Sequence, residues 1–326
     1  MSPDSPVTVD VRLPGDWAEG EMRDDMRRAF TNHPIVLPPK WLYDDTGSDL
    51  FDRITRLDVY YPTEAERAVL AERADEIAAV TGADTVVELG SGTSDKTRTL
   101  LDAFHRTGRL ERFVPLDVSE QTLLNAAEML SARYPGTAIH ALVGDFTRHL
   151  AHLPTGGNRL VAFLGSTIGN FYVEERRAFL GALADHLEPG EWLLLGIDLL
   201  KPVERILAAY DDPEGVTVAF IKNVLNVLND SLGADFDPDG FDYVPLWDAR
   251  ERRVDMRLRA TVPQRVWLDG LDLELDLGEG EELRVEISTK FDRDRLGHEL
   301  ADAGFELSNL WTDEADDFGL ALARRR

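Results

Sequence analysis

Strand-forming residues, glycines and carboxylates meet in TVVELGSGTSDK, residues 85–96. Val86, Val87 and Leu89 favour a strand, and Gly90 and Gly92 let backbone come close to a ligand. Thr93 or Ser94 is expected to cap a helix continuing through Leu100, Leu101 and Phe104. A strand, glycine turn and helix in this order present backbone N–H groups to a nucleotide-like ligand. The segment departs from the dinucleotide fingerprint at two places: Asp95 stands where the third glycine belongs, and Glu88 directly precedes the turn. Carboxylates there would repel a pyrophosphate. They suit a ligand with an ammonium, a sulfonium and no phosphate, as in S-adenosylmethionine.

Ligands of open parallel sheets lie beyond the carboxyl ends of the strands, so polar residues at other strand ends are the next candidates. Asp117 closes RFVPLDV (112–118) about 20–30 residues after the turn, where an acid meets ribose hydroxyls; it could equally cap the following helix. Asp145 and Phe146 close AIHALVGDF (138–146). A carboxylate beside a ring can pair with an adenine amino group while the ring packs on its face, or the two can be an ordinary strand-end Asp and a core Phe. Ser166, Thr167, Gly169 and Asn170 end RLVAFLGSTIGNF (159–171). Asn170 both donates and accepts, which suits a zwitterion, and it also suits a turn beside glycine. Glu286 and Ser288 alternate with Arg284 and Lys290 along one strand face, which by itself reads as solvated.

His149 and His152 have the spacing of a helical metal pair but no third ligand nearby, so no metal site is expected. No serine occupies a nucleophile elbow, and cysteine is absent, which argues against covalent catalysis.

Alternating strands and helices position these residues. Thr63 with Glu66 reads as a capping box opening a helix to about Val80, and strand segments at 85–89, 112–118, 138–146, 159–171 and 191–200 alternate with helices, as a mostly parallel sheet requires. A helix near 293–303 and a hairpin of 305–311 with 318–323 complete that sheet with antiparallel strands. Arg253 to Ala260 alternates strictly, with Arg253, Asp255, Arg257 and Arg259 on an expected solvent face, and 271–277 and 283–287 repeat the alternation. The expected division is a cofactor domain of residues 63–200 and 291–326, and a smaller α+β substrate domain of 1–62 and 201–290.

Bulk composition limits the functions open to such a chain. The 326 residues contain 61 acidic and 35 basic side chains and no cysteine, for a net charge of -26. That charge opposes nucleic acid binding, and the absence of cysteine excludes disulfides and thiolate metal centres and fits a reducing cytoplasm. No apolar run reaches the roughly 18 residues of a membrane span. Without an apolar seam, a monomer is expected.

The segments LPPKWLYDDTGSDLFDRITRLDVYYPTEAE (37–66), ELGSGTSDKT, GDF, FLGSTIGNF, EISTKF and the terminal DFGLALA together resemble the histidine-specific methyltransferases of ergothioneine biosynthesis across nearly the whole chain. The resemblance implies a Rossmann-like class I methyltransferase sheet and three methyl transfers from S-adenosylmethionine to the α-amine of L-histidine. It assigns Gly90, Lys96, Asp117, Asp145 and Phe146 to the cofactor, with Lys96 at its carboxylate. Tyr60, Asn170, Tyr210, Met256, Glu286 and Ser288 are assigned to histidine: Asn170 and Tyr210 at the carboxylate, Tyr60, Glu286 and Ser288 at the imidazole. Tyr43 is placed near the reacting amine. Glu286 and Ser288 thereby pass from solvated residues to recognition residues. The alternatives are a methyltransferase for another small amine or amino acid, and a non-catalytic S-adenosylmethionine sensor lacking an amine pocket.

Overall fold

The computed structural model describes residues 7–13 and 15–326. Its first elements are β1 (Val7–Val11), α1 (Trp17–Phe30), β2 (Ile35–Val36), α2 (Asp45–Ile54) and α3 (Pro62–Thr81). The alternating region follows: β3 (Thr85–Leu89), α4 (Thr97–Arg106), β4 (Arg112–Asp117), α5 (Glu120–Arg133), β5 (Ala138–Val143), β6 (Arg159–Phe163), α6 (Val173–His186) and β7 (Trp192–Asp198). Next come α7 (Val203–Tyr210), α8 (Val216–Leu232), β8 (Phe241–Asp248), β9 (Arg253–Ala260), β10 (Gln264–Leu268), β11 (Leu273–Leu277) and β12 (Glu282–Thr289). The chain ends with α9 (Arg293–Asp302), β13 (Phe305–Thr312) and β14 (Phe318–Arg325).

Two units emerge, one containing β1, Pro62–Leu199 and Phe291–Arg326, the other Gly15–Tyr61 and Leu200–Lys290. The first is built on a sheet ordered β1-β5-β4-β3-β6-β7-β14-β13. Pairing is parallel through β7 and antiparallel at β14 and β13, so the expected α/β class with an antiparallel C-terminal hairpin is what forms. The strand order reverses direction at β3, where β4 lies on one side and β6 on the other, and the glycine turn leaves that point. Helices cover both faces, so β3, β6 and β7 are buried throughout and read as apolar runs, not alternations. Residues 7–11, grouped above with the second domain, instead pair with β5 as an edge strand.

The second unit holds a sheet ordered β2-β12-β9-β8 and a separate hairpin of β10 and β11. Its core gathers Phe220, Ile221, Val224 and Leu228 of α8 with Val254, Met256 and Leu258 of β9. Gly233, left-handed at φ 59°, ends α8 without the steric cost another residue would meet there. The polar face of β9 differs from expectation, because Arg253 and Asp255 are buried. Arg257 bonds Asp255 at 2.6 Å and Glu282 of β12 at 2.7 Å, and charges paired across the strands can leave water where unpaired ones cannot.

An irregularity in β12 decides which face its polar residues occupy. Leu283 stands opposite Leu258, but the register shifts between Arg284 and Glu286, so that Glu286 stands opposite Met256 and Ser288 opposite Val254. Opposed residues share a face of the sheet. The extra residue, Val285, therefore moves Glu286 and Ser288 from the side shared with Arg284 to the side of Met256 and Val254.

Candidate active site

In the first unit the glycine turn is shaped by left-handed backbone at Gly90 (φ 66°), Gly92 (φ 48°) and Ser94 (φ 55°). A Cβ on Gly90 would stand 3.5 Å from the Phe146 ring, and the strained φ disfavours any side chain there. Neither Thr93 nor Ser94 caps α4, which starts only at Thr97; the Ser94 hydroxyl turns instead to Glu88 Oε2 at 2.9 Å, and the Thr97 hydroxyl donates to Oε1. Burial pushes the Glu88 carboxyl up to about 7, against those two hydroxyls and Lys96, which favour its ionised form. Glu88 thus ties the turn to the start of the helix.

Asp117 ties the glycine turn to the segment that follows β4. Its Oδ2 accepts from the Gly92 N–H at 2.9 Å, and its Oδ1 from the Ser119 N–H at 3.0 Å, next to the start of α5. Asp145 Oδ1 accepts from the Thr147 N–H and hydroxyl, at 2.8 and 2.6 Å, which fixes the GDF turn. Phe146 packs edge-on against Phe163, Phe171 and Phe179. His149 serves this turn too: the Asp145 N–H donates to its Nδ1 at 3.0 Å. Among the described residues no group of three or more potential ligands could hold a metal ion.

Glu66 takes a different role from the capping-box partner expected from its spacing to Thr63. Helix α3 begins at Pro62, so Thr63 lies inside it and no capping box forms; Glu66 is fully buried. One carboxylate oxygen accepts from Lys96 Nζ at 2.5 Å and the other from the Gly165 N–H at 2.7 Å. Lys96 is therefore held at the end of β6. Nearby, the left-handed Ser166 (φ 57°) accepts from the Asp198 N–H at 3.0 Å, and Asn170 closes the short helical turn Thr167–Asn170, half-buried.

The second unit brings together Tyr43, Tyr60, Tyr210, Met256, Glu286 and Ser288. Tyr60 and Tyr210 meet edge to face at 6.3 Å, and Tyr43 packs in the same manner on Phe51 and Phe220, each at 5.4 Å. Tyr43 exposes 40% of its surface while its hydroxyl end is enclosed. Burial, then the Glu286 charge, then Tyr60 and Tyr210, hold that hydroxyl well above the usual tyrosine range. Burial also pushes the Glu286 carboxyl up to about 8, with the Lys290 cation opposing. Tyr210 Oη lies 2.7 Å from Ser288 Oγ, and Lys290 Nζ donates to both. Tyr243, which no motif had marked, donates to the Tyr210 carbonyl at 2.8 Å. Asn223 donates to Asp44, which also caps α2 through the Gly47 N–H, beside Tyr43. Tyr243, Lys290 and Asn223 carry no local signal in sequence, since strand polarity and helix interiors account for such residues equally well.

Residues 22–325 match the model of a family described as histidine-specific methyltransferase, SAM-dependent. The chain belongs to this methyltransferase family. This methyltransferase is 52% identical over 313 residues to the histidine N-alpha-methyltransferase of Mycolicibacterium smegmatis, covering 96% of the chain and 98% of the relative. The corresponding protein of Mycobacterium tuberculosis is 50% identical over 319 residues, covering 98% and 99%. Ergothioneine biosynthesis protein 1 of Schizosaccharomyces pombe is 34% identical over 224 residues, covering 65% of the chain and 29% of that longer protein. The family's methyl donor is compatible with the first unit, where left-handed Gly90 leaves backbone without a side chain, carboxylates stand at the ends of β4 and β5, and Lys96 is held beside Gly165 by Glu66.

Proposed function

We propose that this methyltransferase transfers methyl groups from S-adenosylmethionine to the α-amine of L-histidine, three times in succession, giving hercynine in ergothioneine biosynthesis. The convergence of Glu286 and Ser288 on the Met256 side of β12, where tyrosines enclose them, carries the proposal, because it supplies polar partners for an imidazole in an otherwise aromatic pocket.

The bound cofactor supplies an electrophilic methyl group. Gly90, Lys96, Asp117, Asp145 and Phe146 are its proposed holders, with Lys96 kept at the cofactor carboxylate by Glu66. Each transfer forms a nitrogen–carbon bond as a sulfur–carbon bond breaks, and protons lost by the amine pass to solvent. Orientation of the amine can supply roughly 7–11 kcal/mol of such a barrier, so a strong base is not required. Tyr43, whose hydroxyl is held protonated by burial and Glu286, would serve as a hydrogen-bonding partner of the amine and not as an ionised base. Asn170 takes the substrate carboxylate with Tyr210, and Glu286, Ser288 and Tyr60 take the ring. A pocket of this kind penalises analogues that leave its polar groups unpaired. We take the enzyme as a cytoplasmic monomer with no nucleic acid or membrane partner; among the described residues no helix is long and apolar enough to cross a membrane.

Mass spectrometry of histidine incubated with the protein and S-adenosylmethionine is the direct test. Gains of one, two and three methyl groups, with the trimethylated species accumulating, are expected; unmodified histidine beside intact cofactor binding would transfer the proposal to another amine.

A further inference from the structure

Asn223 is 4% exposed on α8, a helix whose Phe220, Ile221 and Val224 enter the core, and neither it nor Asp44 is among the residues that the family resemblance assigns to substrate. A buried amide without a partner costs free energy and asparagine is a poor helix former, so a specific contact must repay its presence. That contact is with Asp44. Asn223 Nδ2 donates to Asp44 Oδ1 at 2.7 Å, and the same oxygen accepts from the Gly47 N–H at 2.7 Å. Capping α2 requires only the Gly47 contact. The contact with Asn223 adds a tie between α2 and α8.

The tie lies one helical turn from the rings that hold Tyr43. Phe220 stands one turn before Asn223 on α8, and Phe51 one turn after Gly47 on α2, so tie and ring share a face of each helix. Phe51 and Phe220 meet at 5.8 Å, and the Tyr43 ring stands edge-on to each at 5.4 Å. The Tyr43 backbone is pinned beside them. A Cβ on Gly47 would overlap the Leu42 carbonyl oxygen, so only glycine lets the first turn of α2 fold onto the residue before Tyr43, and the Ser48 hydroxyl donates to the Tyr43 carbonyl at 3.3 Å.

We infer that Asn223 is a positioning residue for methyl transfer, which fixes α2 against α8 through Asp44 and thereby sets the direction in which the Tyr43 hydroxyl meets the reacting amine. The inference rests on the proposed placement of Tyr43 at that amine. Ring contacts alone are apolar and carry little direction, so without the tie α2 can shift along α8. The hydroxyl, at the far end of the tyrosine, then moves furthest.

Asn223→Leu keeps the approximate volume, removes the donor and suits a helix better, while Asp44 is exposed to water and keeps its bond to Gly47. Asn223→Ala removes the donor without adding apolar bulk and is carried in parallel; thermal unfolding checks that each variant folds. Single-turnover methylation of histidine is measured on enzyme saturated with S-adenosylmethionine, and histidine dissociation constants with S-adenosylhomocysteine bound, for wild type, each Asn223 variant, Tyr43→Phe and the double variants. Loss of the tie is expected to slow the single turnover about tenfold, within what misplacement of a reacting group costs, and to leave histidine affinity within about twofold because Glu286 and Ser288 are untouched. In the Tyr43→Phe background, which lacks the hydroxyl that the tie directs, the same substitution should change the rate by less than about twofold. An unchanged rate in the Asn223 variants, a loss that multiplies fully onto that of Tyr43→Phe, or a loss of histidine affinity as large as the loss of rate would overturn the inference; the last two are what a purely structural asparagine produces. Full turnover in Tyr43→Phe would refute the placement of Tyr43, and unmethylated histidine in the wild-type arm would refute the proposed substrate. Either would take the inference with it, and each is read from its own arm.

Discussion

Glu66 and Gly165 lie 99 residues apart in the chain, and the Gly165 N–H donates to Glu66 Oε1 at 2.7 Å, joining the second turn of α3 to the end of β6. Lys96 closes the arrangement on the other carboxylate oxygen. Because the carboxylate is fully buried, removing it leaves both a backbone donor and an ammonium without their partner. Glu66→Ala is expected to weaken cofactor binding and lower the melting temperature, measured by calorimetric titration and thermal unfolding. Unchanged cofactor affinity would confine Glu66 to a structural role.

Gly196 gives the same carboxylate its room. A Cβ there would stand 2.1 Å from Glu66 Oε1, closer than any side chain tolerates, so Gly196→Ala must displace Glu66. The usual cost of such overpacking is about 1–3 kcal/mol, visible as a lower denaturation midpoint. Reduced cofactor affinity should accompany it.

Glu286→Ala is expected to weaken histidine binding by about 1–3 kcal/mol while sparing the cofactor, since one buried polar partner is lost. Asp117→Ala should do the opposite. Its carboxylate ties the Gly92 N–H to the Ser119 N–H, so the glycine turn loses an anchor as well as the proposed ribose acceptor. Separate titrations of each variant with histidine and with S-adenosylhomocysteine distinguish the two patterns, and Asp117→Ala with full cofactor affinity would reduce Asp117 to a structural tie.

Stability should fall from mildly acidic to alkaline pH. Folding raises Glu88 from 4.5 to about 7 and Glu286 from 4.5 to about 8, both through burial. Over that range the folded chain binds more protons than the unfolded one, so their contribution is full below 4.5 and is lost as pH rises through 7 and then 8. Glu286→Gln cannot ionise and should flatten the upper part of the decline in melting temperature. A wild-type melting temperature that climbs from pH 6 to 8.5 would contradict this assignment.

Turnover under saturating substrates should rise over the mildly alkaline range, because an α-amine with a pKa of about 8 must be neutral to attack. Glu286 titrates in the same window, and Glu286→Gln separates the two: the rise attributable to the amine should persist in the variant. A flat profile from pH 6.5 to 9 would show that amine deprotonation is not felt in the rate.

Local chemistry made much of the first unit legible. Val86, Val87 and Leu89 could only be a buried strand, Gly90 and Gly92 only a tight turn, and the polar residues at strand ends followed from the parallel alternation. Asp117 and Asp145 stand at the ends of β4 and β5 for that reason. The antiparallel hairpin of β13 and β14 was legible as well. Burial was not. Arg253 and Asp255 alternate as a solvated face would, yet both are buried, with Asp255 paired to Arg253 and Arg257 along the same strand.

Residue types and their spacing along the chain thus determined by themselves the α/β sheet, the glycine turn and the family, since these depend on neighbours within one element or on long runs of shared residues. Tertiary structure alone decided the parts that depend on register and on distant partners. One extra residue at Val285 reverses the faces of β12 and takes Glu286, Ser288 and Lys290 from an apparent solvent stripe into a cluster in which Ser288 and Lys290 are buried and Glu286 half-buried, because strand faces alternate with period two. Glu66 looked like a helix cap until Gly165 and Lys96 were brought to it, because a carboxylate's role is set by the donors around it and those donors come from elsewhere in the chain.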